Sequence, residues 1–266
     1  MNTKVKAWIN LVVYLAMVAV NALGAFGYIN GLSQKEVSDR FDTLITPSPF
    51  AFSIWAVLYT LMLITVVYWL WKHGHAETAH LVDEVSPLFW LSSVMNIAWI
   101  VAFSYEMIGL STLFILGLFV SLALMSERLK RHTGMGFPLG GITFGLYAGW
   151  ILIATFVNVA AFLVQRGWNG FGIAPNTWAV IILVAAVFIT VLIQLRLRNA
   201  ALTLPIAWAY VAIWHRHSAQ GTYQGQYPMV GTVALLGAAV ALAVVVVVFI
   251  QNNRCVLPLA HGKENT

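Results

Sequence analysis

The chain has 266 residues, 61% of them hydrophobic and only 9% charged, with a formal net charge of +5 and a mean hydropathy of +0.84. A soluble domain carries about 25% charged residues, so too few are present to coat a globule of this size and most of the surface must face lipid. The basic residues sit in short clusters between apolar runs, as topology signals do, which argues against a nucleic-acid partner. The single cysteine, Cys255, excludes an internal disulfide and supplies no redox or metal motif.

A membrane-crossing helix needs roughly 20 mostly apolar residues. Eight stretches qualify in chain order: 7–29, 49–71, 87–104, 107–126, 137–164, 177–195, 200–215 and 229–251. The first follows Lys4 and Lys6. Its apolar run exceeds the roughly 7–15 residues of a signal-peptide core, so it reads as a retained helix. The seventh is the weakest, short and holding Pro205, and is either re-entrant or crosses with tilt. With the N-terminus in the cytoplasm, Lys4, Lys6, Lys72, Arg128, Lys130, Arg131, Arg196, Arg198, Arg254 and Lys263 fall inside, and only Lys35, Arg40, Arg166 and Arg216 outside. That bias predicts eight helices with both ends cytoplasmic, in a multi-pass protein of the cell membrane. The longest outer loop, 30–48, has mixed charges that suit a soluble cap.

Three spans carry matching faces. In the second, "PFAFSIWAVLY", Phe52, Trp55 and Tyr59, with Met62 beyond, share one side of a helix. In the third, Ser92, Asn96, Trp99 and Phe103 do the same. In the fifth, Tyr147, Trp150, Ala154 and Asn158 share a face, with Thr155 beside it. Asparagine in hydrocarbon is costly unless hydrogen-bonded, so Asn96 and Asn158 should point into the bundle. They serve there either as ties between helices or as ligand contacts. The aromatic stripes are either core packing or a pocket wall. Phe50, Trp69, Trp71, Trp90 and Trp168 lie near span ends and read as interfacial anchors, whereas Trp99 and Trp150 lie deeper. Gly141, Gly145 and Gly149 repeat every four residues on roughly the opposite side of the fifth span. Such a face packs against a helix of the same bundle or against a second subunit in a homodimer.

Ion-coupling chemistry finds no support, because no acidic or basic residue sits mid-span. "HGH" and "HRH" read as solvated loop histidines, and no metal centre is expected. No phosphate-binding loop and no nucleophile–base set is present, so catalysis is not expected.

Taken together, these motifs resemble the TspO/MBR family, the tryptophan-rich sensory proteins related to the mitochondrial translocator protein. The resemblance rests on Asn96, Trp99 and Phe103 in the third span, on Tyr147, Trp150, Ala154, Thr155 and Asn158 in the fifth, and on Pro49, Trp55, Leu58 and Tyr59 in the second. It covers about residues 7–165. Leu146 stands where the family has proline, and "VNVAAFLVQR" lacks the tyrosine of the sterol-recognition pattern. The expected fold is therefore an all-α membrane protein, with a TspO-like five-helix bundle over 1–170 and an extension of about three helices plus a short tail over 171–266.

The resemblance implies a lipophilic, tetrapyrrole-like ligand, a porphyrin or haem, with no obligatory cofactor. It would be held between the helices beneath the 30–48 loop, by a protein acting as sensor or carrier. Trp55, Trp99 and Trp150 would stack on the macrocycle, with Phe52, Tyr59, Phe103 and Ala154 completing the wall. Asn96, Asn158 and Tyr147 would orient its polar edge. Facilitative transport of a small apolar molecule and a purely structural bundle are the alternatives.

Overall fold

The computed structural model describes residues 1–132 and 136–258; His261 and Lys263 lie outside the described residues. Within them the chain is helical without strands: α1 (Thr3–Ala25), α2 (Gln34–Arg40), α3 (Ile54–Lys72), α4 (Ala76–Ser104), α5 (Ile108–Leu129), α6 (Gly136–Gln165), α7 (Pro175–Leu197), α8 (Ala200–His217) and α9 (Pro228–Gln251). The helix starts follow local chemistry. Asn2 accepts from the Lys4 amide at 2.9 Å, and Asn199 accepts from the Ala201 amide at 3.1 Å. Each satisfies a donor the helix itself cannot. Pro49, Pro175 and Pro228 occupy first turns, where a missing N–H costs least.

Among the described residues seven helices, all but α2 and α8, are long and apolar enough to cross a membrane. Their large exposed side chains are apolar, Val12, Leu113, Phe188 and Leu236 among them, a surface that only lipid solvates without cost. The first five of the seven close into a ring: α1 packs on α3 and α4, α4 on α5, α5 on α6, and α6 on α3. A second tier continues from α6 to α8, from α8 to α9 and from α9 to α7. One apolar core runs through both tiers, from Ala7 to Leu257.

The 18 residues of α8 give it a length of roughly 27 Å. Leu202, Ile206, Tyr210 and Ile213 are buried in protein, and only a narrow stripe with Leu204, Trp208 and Trp214 is left exposed, so α8 needs little lipid-facing surface. That is why it is the weakest stretch by hydropathy. At one end the Asn199 amide donates to the Gly141 carbonyl at 2.8 Å; at the other, His215 Nδ1 lies 3.1 Å from the Ser48 hydroxyl. The first end also holds Lys6 with Asp83, Arg128 with the Glu84 carbonyl and Lys130 with the Arg196 carbonyl, the group assigned to the cytoplasm by charge. The second holds Arg40 with Glu106 and Arg216 with Asp42. α8 thus runs from one end of the bundle to the other.

The glycine face of α6 is used inside the chain. A side chain at Gly149 would overlap the Leu202 carbonyl, one at Gly145 the Asn199 amide, and one at Gly141 the Leu257 side chain. Two of the three seat α8 and its cap directly on α6. Trp69, read from its position as an anchor, is instead fully buried and stacks on Phe144 at 5.7 Å between centroids, because α3 and α6 meet there. His217 of the "HRH" stretch is likewise buried rather than solvated.

Candidate ligand-binding site

The three aromatic faces converge inside the five-helix ring, near its outer end. Trp55 of α3 is the hub. Its ring stacks on Tyr59 at 5.3 Å and on Trp99 of α4 at 6.2 Å. It meets Tyr147 and Trp150 of α6 edge-on at 6.0 and 6.1 Å. Phe52 meets Trp150 edge-on at 6.2 Å, and Phe103 lies 6.1 Å from Trp99. These are the offset and T-shaped separations that the aromatic quadrupole favours.

Phe52, Trp55, Trp99, Phe103, Trp150, Ala154 and Asn158 line one cavity. Its roof is Gln34 and Ser38 of α2, with Phe41, Thr46 and Pro47 following. The 30–48 loop therefore covers the aromatic site, and a short helix within it supplies the cover. A capping box forms that helix: the Ser33 side chain accepts from the Glu36 amide, and Glu36 accepts from the Ser33 amide at 2.7 Å. Those Ser33 hydrogen bonds hold the Glu36 carboxyl below its ordinary range.

Tyr59, Asn96 and Tyr147 stand behind this wall. The Asn21 amide of α1 donates to Asn96, whose own amide donates to the Tyr147 hydroxyl at 2.8 Å. Asn96 is fully buried, and this chain ties α1, α4 and α6 below the cavity floor. Asn158 reaches the cavity but is itself well satisfied. It accepts from the Trp99 indole N–H at 3.1 Å and donates to the Thr112 and Ser111 hydroxyls at 2.7 and 3.0 Å. Trp150 differs. It is 3% exposed, and its indole N–H has no hydrogen-bond partner among the described residues.

The cavity is small, about 70 Å³, against the roughly 300–1,000 Å³ of sites for drug-sized ligands. Phe52 and Trp55 stand in its wall.

A larger cavity, about 450 Å³, lies beside it at the same end, between residues 42–45, the end of α6 and the start of α7. Trp168 and Trp178 form its aromatic side, 5.0 Å apart, and the Trp178 indole is fixed by the Gly170 carbonyl at 2.9 Å. Tyr223 and Asp42 complete it. The Tyr223 hydroxyl donates to Asp42 at 2.7 Å; burial first, then this carboxylate, pushes the phenol above its ordinary range. Sequence reasoning gives Trp168 an anchoring role and Tyr223 none. The tryptophans ten residues apart around a glycine-rich turn were the only signal available.

Loop 42–53 is strapped to α8. Ser48 N–H donates to the Ala212 carbonyl at 3.2 Å, the Trp208 indole to Ala51 at 3.1 Å, and the His217 ring nitrogen lies 2.7 Å from the Leu44 carbonyl. Arg216 pairs with Asp42 at 3.0 Å.

These features define a multi-pass α-helical membrane protein with an aromatic site sealed at one end of a five-helix ring. A family model of TSPO-like proteins matches residues 7–248, and the chain belongs to that family. The match extends well past residue 165, through α7 and α8 and into α9. No curated protein and no solved structure matches the chain.

Proposed function

We propose that this TSPO-like membrane protein binds a lipophilic, tetrapyrrole-like ligand beneath the α2 roof, as a sensor or carrier rather than as an enzyme. The observation that carries the reading is the buried Trp150 indole N–H. It lies in an apolar wall with no acceptor, and a buried donor without one costs about 1–3 kcal/mol. A porphyrin carboxylate or another acceptor on a flat ligand would satisfy it while the rings of Trp99 and Trp150 cover the macrocycle. The roof must lift and Phe52 and Trp55 must turn aside for this. The resemblance to the tryptophan-rich sensory proteins supports the ligand class, and the charge bias supports a cell membrane such as the bacterial inner membrane, with cytoplasmic termini.

The test is titration of the detergent-solubilised protein with protoporphyrin IX, read from the porphyrin absorbance band. Trp150→Phe keeps the ring and removes the donor, and should weaken binding about fivefold, the worth of one hydrogen bond. Unchanged affinity in both Trp150→Phe and Asn158→Ala removes the site. Uptake into proteoliposomes separates a carrier from a sensor. The small cavity favours a second reading, a structural bundle whose aromatic faces only pack. Absence of saturable porphyrin binding by the unmodified protein selects it.

A further inference from the structure

At the inner end of the ring, far from the aromatic site, three side chains with metal-binding atoms meet: His80 and Glu84 on α4, and His132 just past α5. His80 and Glu84 are four residues apart and so share a helix face. His132 is brought over them by the turn that ends α5, where its backbone N–H donates to the Leu129 carbonyl at 3.1 Å. The three ligand atoms all lie within 4.8 Å of one another. His80 is exposed, Glu84 half-buried and His132 buried, so the group has both a fixed base and a path to solvent.

The hydrogen-bond pattern fixes which atoms are free. Glu84 Oε2 lies 2.7 Å from His132 Nε2, so the Nε2–H donates to the carboxylate and the lone pair of a neutral His132 is left on Nδ1. That Nδ1 faces His80 Nδ1 at 3.4 Å. This is long for a hydrogen bond, N–H···O bonds spanning roughly 2.7–3.2 Å. Two imidazole nitrogens bound tetrahedrally at about 2.0–2.1 Å to one zinc ion stand about 3.3–3.4 Å apart. The carboxylate behind His132 is the partner that orients a metal-ligating imidazole and raises its basicity. Arg128 of the same end is turned onto the Glu84 carbonyl at 3.1 Å, not onto its carboxylate.

We propose that His80 and His132 bind a divalent cation of the zinc type through their Nδ1 atoms, with Glu84 positioning His132 and water completing the shell. Nitrogen ligands favour zinc, nickel or copper over magnesium or calcium. The bound ion ties α4 to the turn at the end of α5 at this end of the ring.

The experiment uses the full chain in detergent, purified without a histidine tag and stripped with chelator. Zinc is titrated by calorimetry, and cobalt by its visible absorption. The unmodified protein should take up one equivalent, and zinc should raise its melting temperature. His80→Ala, at an exposed position where folding is not at risk, and His132→Ala should each weaken binding by about tenfold or more and abolish the melting shift. Glu84→Gln should weaken it about 10–100-fold, as loss of an orienting partner does. His75→Ala, on the preceding turn, should bind as the unmodified protein does. Uptake by the unmodified protein no greater than by the His80→Ala/His132→Ala double variant, with both folded by circular dichroism, overturns the proposal.

Discussion

The guanidinium of Arg216 lies 3.0 Å from the carboxylate of Asp42, across 174 residues of sequence. It joins the end of α8 to the loop that roofs the aromatic site. Arg216 is 7% exposed, and its other terminal nitrogen reaches the Thr46 and Pro47 carbonyls at 3.4 and 3.5 Å. The second tier of helices therefore fastens the cover of the first.

Removing that guanidinium should loosen the cover selectively. Arg216→Ala leaves two loop carbonyls without their donor and Asp42 with the Tyr223 hydroxyl but without its cation, at a cost of about 2 kcal/mol for a charge-assisted contact. Amide hydrogen exchange over residues 42–48 should accelerate while α4 and α5 keep their protection. Arg216→Lys should recover only part of the loss, because a single ammonium cannot reproduce the guanidinium fork. Uniform acceleration over the whole bundle would contradict a local strap.

Gly149 tests the seam between the tiers. Any side chain there overlaps the Leu202 carbonyl, which is backbone and cannot turn away. Gly149→Ala should therefore destabilise by about 1–3 kcal/mol, the cost of overpacking, despite the better helix propensity of alanine. Gly74→Ala, in the turn before α4 with open space around it, should change stability little. Thermal unfolding followed by tryptophan fluorescence compares the two; equal melting temperatures would remove the seam.

The ring was legible in the sequence because apolar length and one-sided spacing are local properties. The spans around Trp55, Trp99 and Trp150 became α3, α4 and α6 with their faces together, and the roof fell where the 30–48 loop was expected. What stayed hidden depends on pairing. Asn96 and Asn158 share a sequence signature, yet Asn96 is a fully buried tie to Asn21 and Tyr147 while Asn158 reaches the cavity. Nothing local distinguishes them. Trp69 near a helix end looks like an anchor until Phe144 is placed beside it. The role of α8 was invisible for the same reason, since its burial depends on a glycine face some fifty residues earlier.

Glu36 makes the roof sensitive to acid. Its carboxyl is held below the ordinary range by the Ser33 backbone and side-chain hydrogen bonds. A group whose folded pKa is depressed contributes above its unfolded pKa and loses that contribution as pH falls through the folded value. The capping box should therefore hold at neutral pH and weaken as pH falls below the ordinary glutamate range. The Ser33 amide resonance should titrate with a midpoint below that of an ordinary glutamate. In Glu36→Gln the box can still form, and the titration should vanish. A Ser33 shift that follows pH in both proteins would assign the effect elsewhere.

Trp55 decides whether the aromatic site is a plug or a platform. It touches four rings at once, and the space left beside it is about 70 Å³. A flat ligand cannot stack on Trp99 and Trp150 until this indole moves. Trp55→Phe keeps an apolar ring but opens room, at a stability cost of about 1–3 kcal/mol, less than the roughly 3–5 kcal/mol of a truncation to alanine. If Trp55 is the plug, stopped-flow mixing with protoporphyrin IX should show faster association for Trp55→Phe with affinity held or improved. If it is a stacking platform, the same variant should release the porphyrin faster and associate no more quickly. The unmodified geometry, with Trp55 packed against the surfaces the ligand would use, predicts the first outcome.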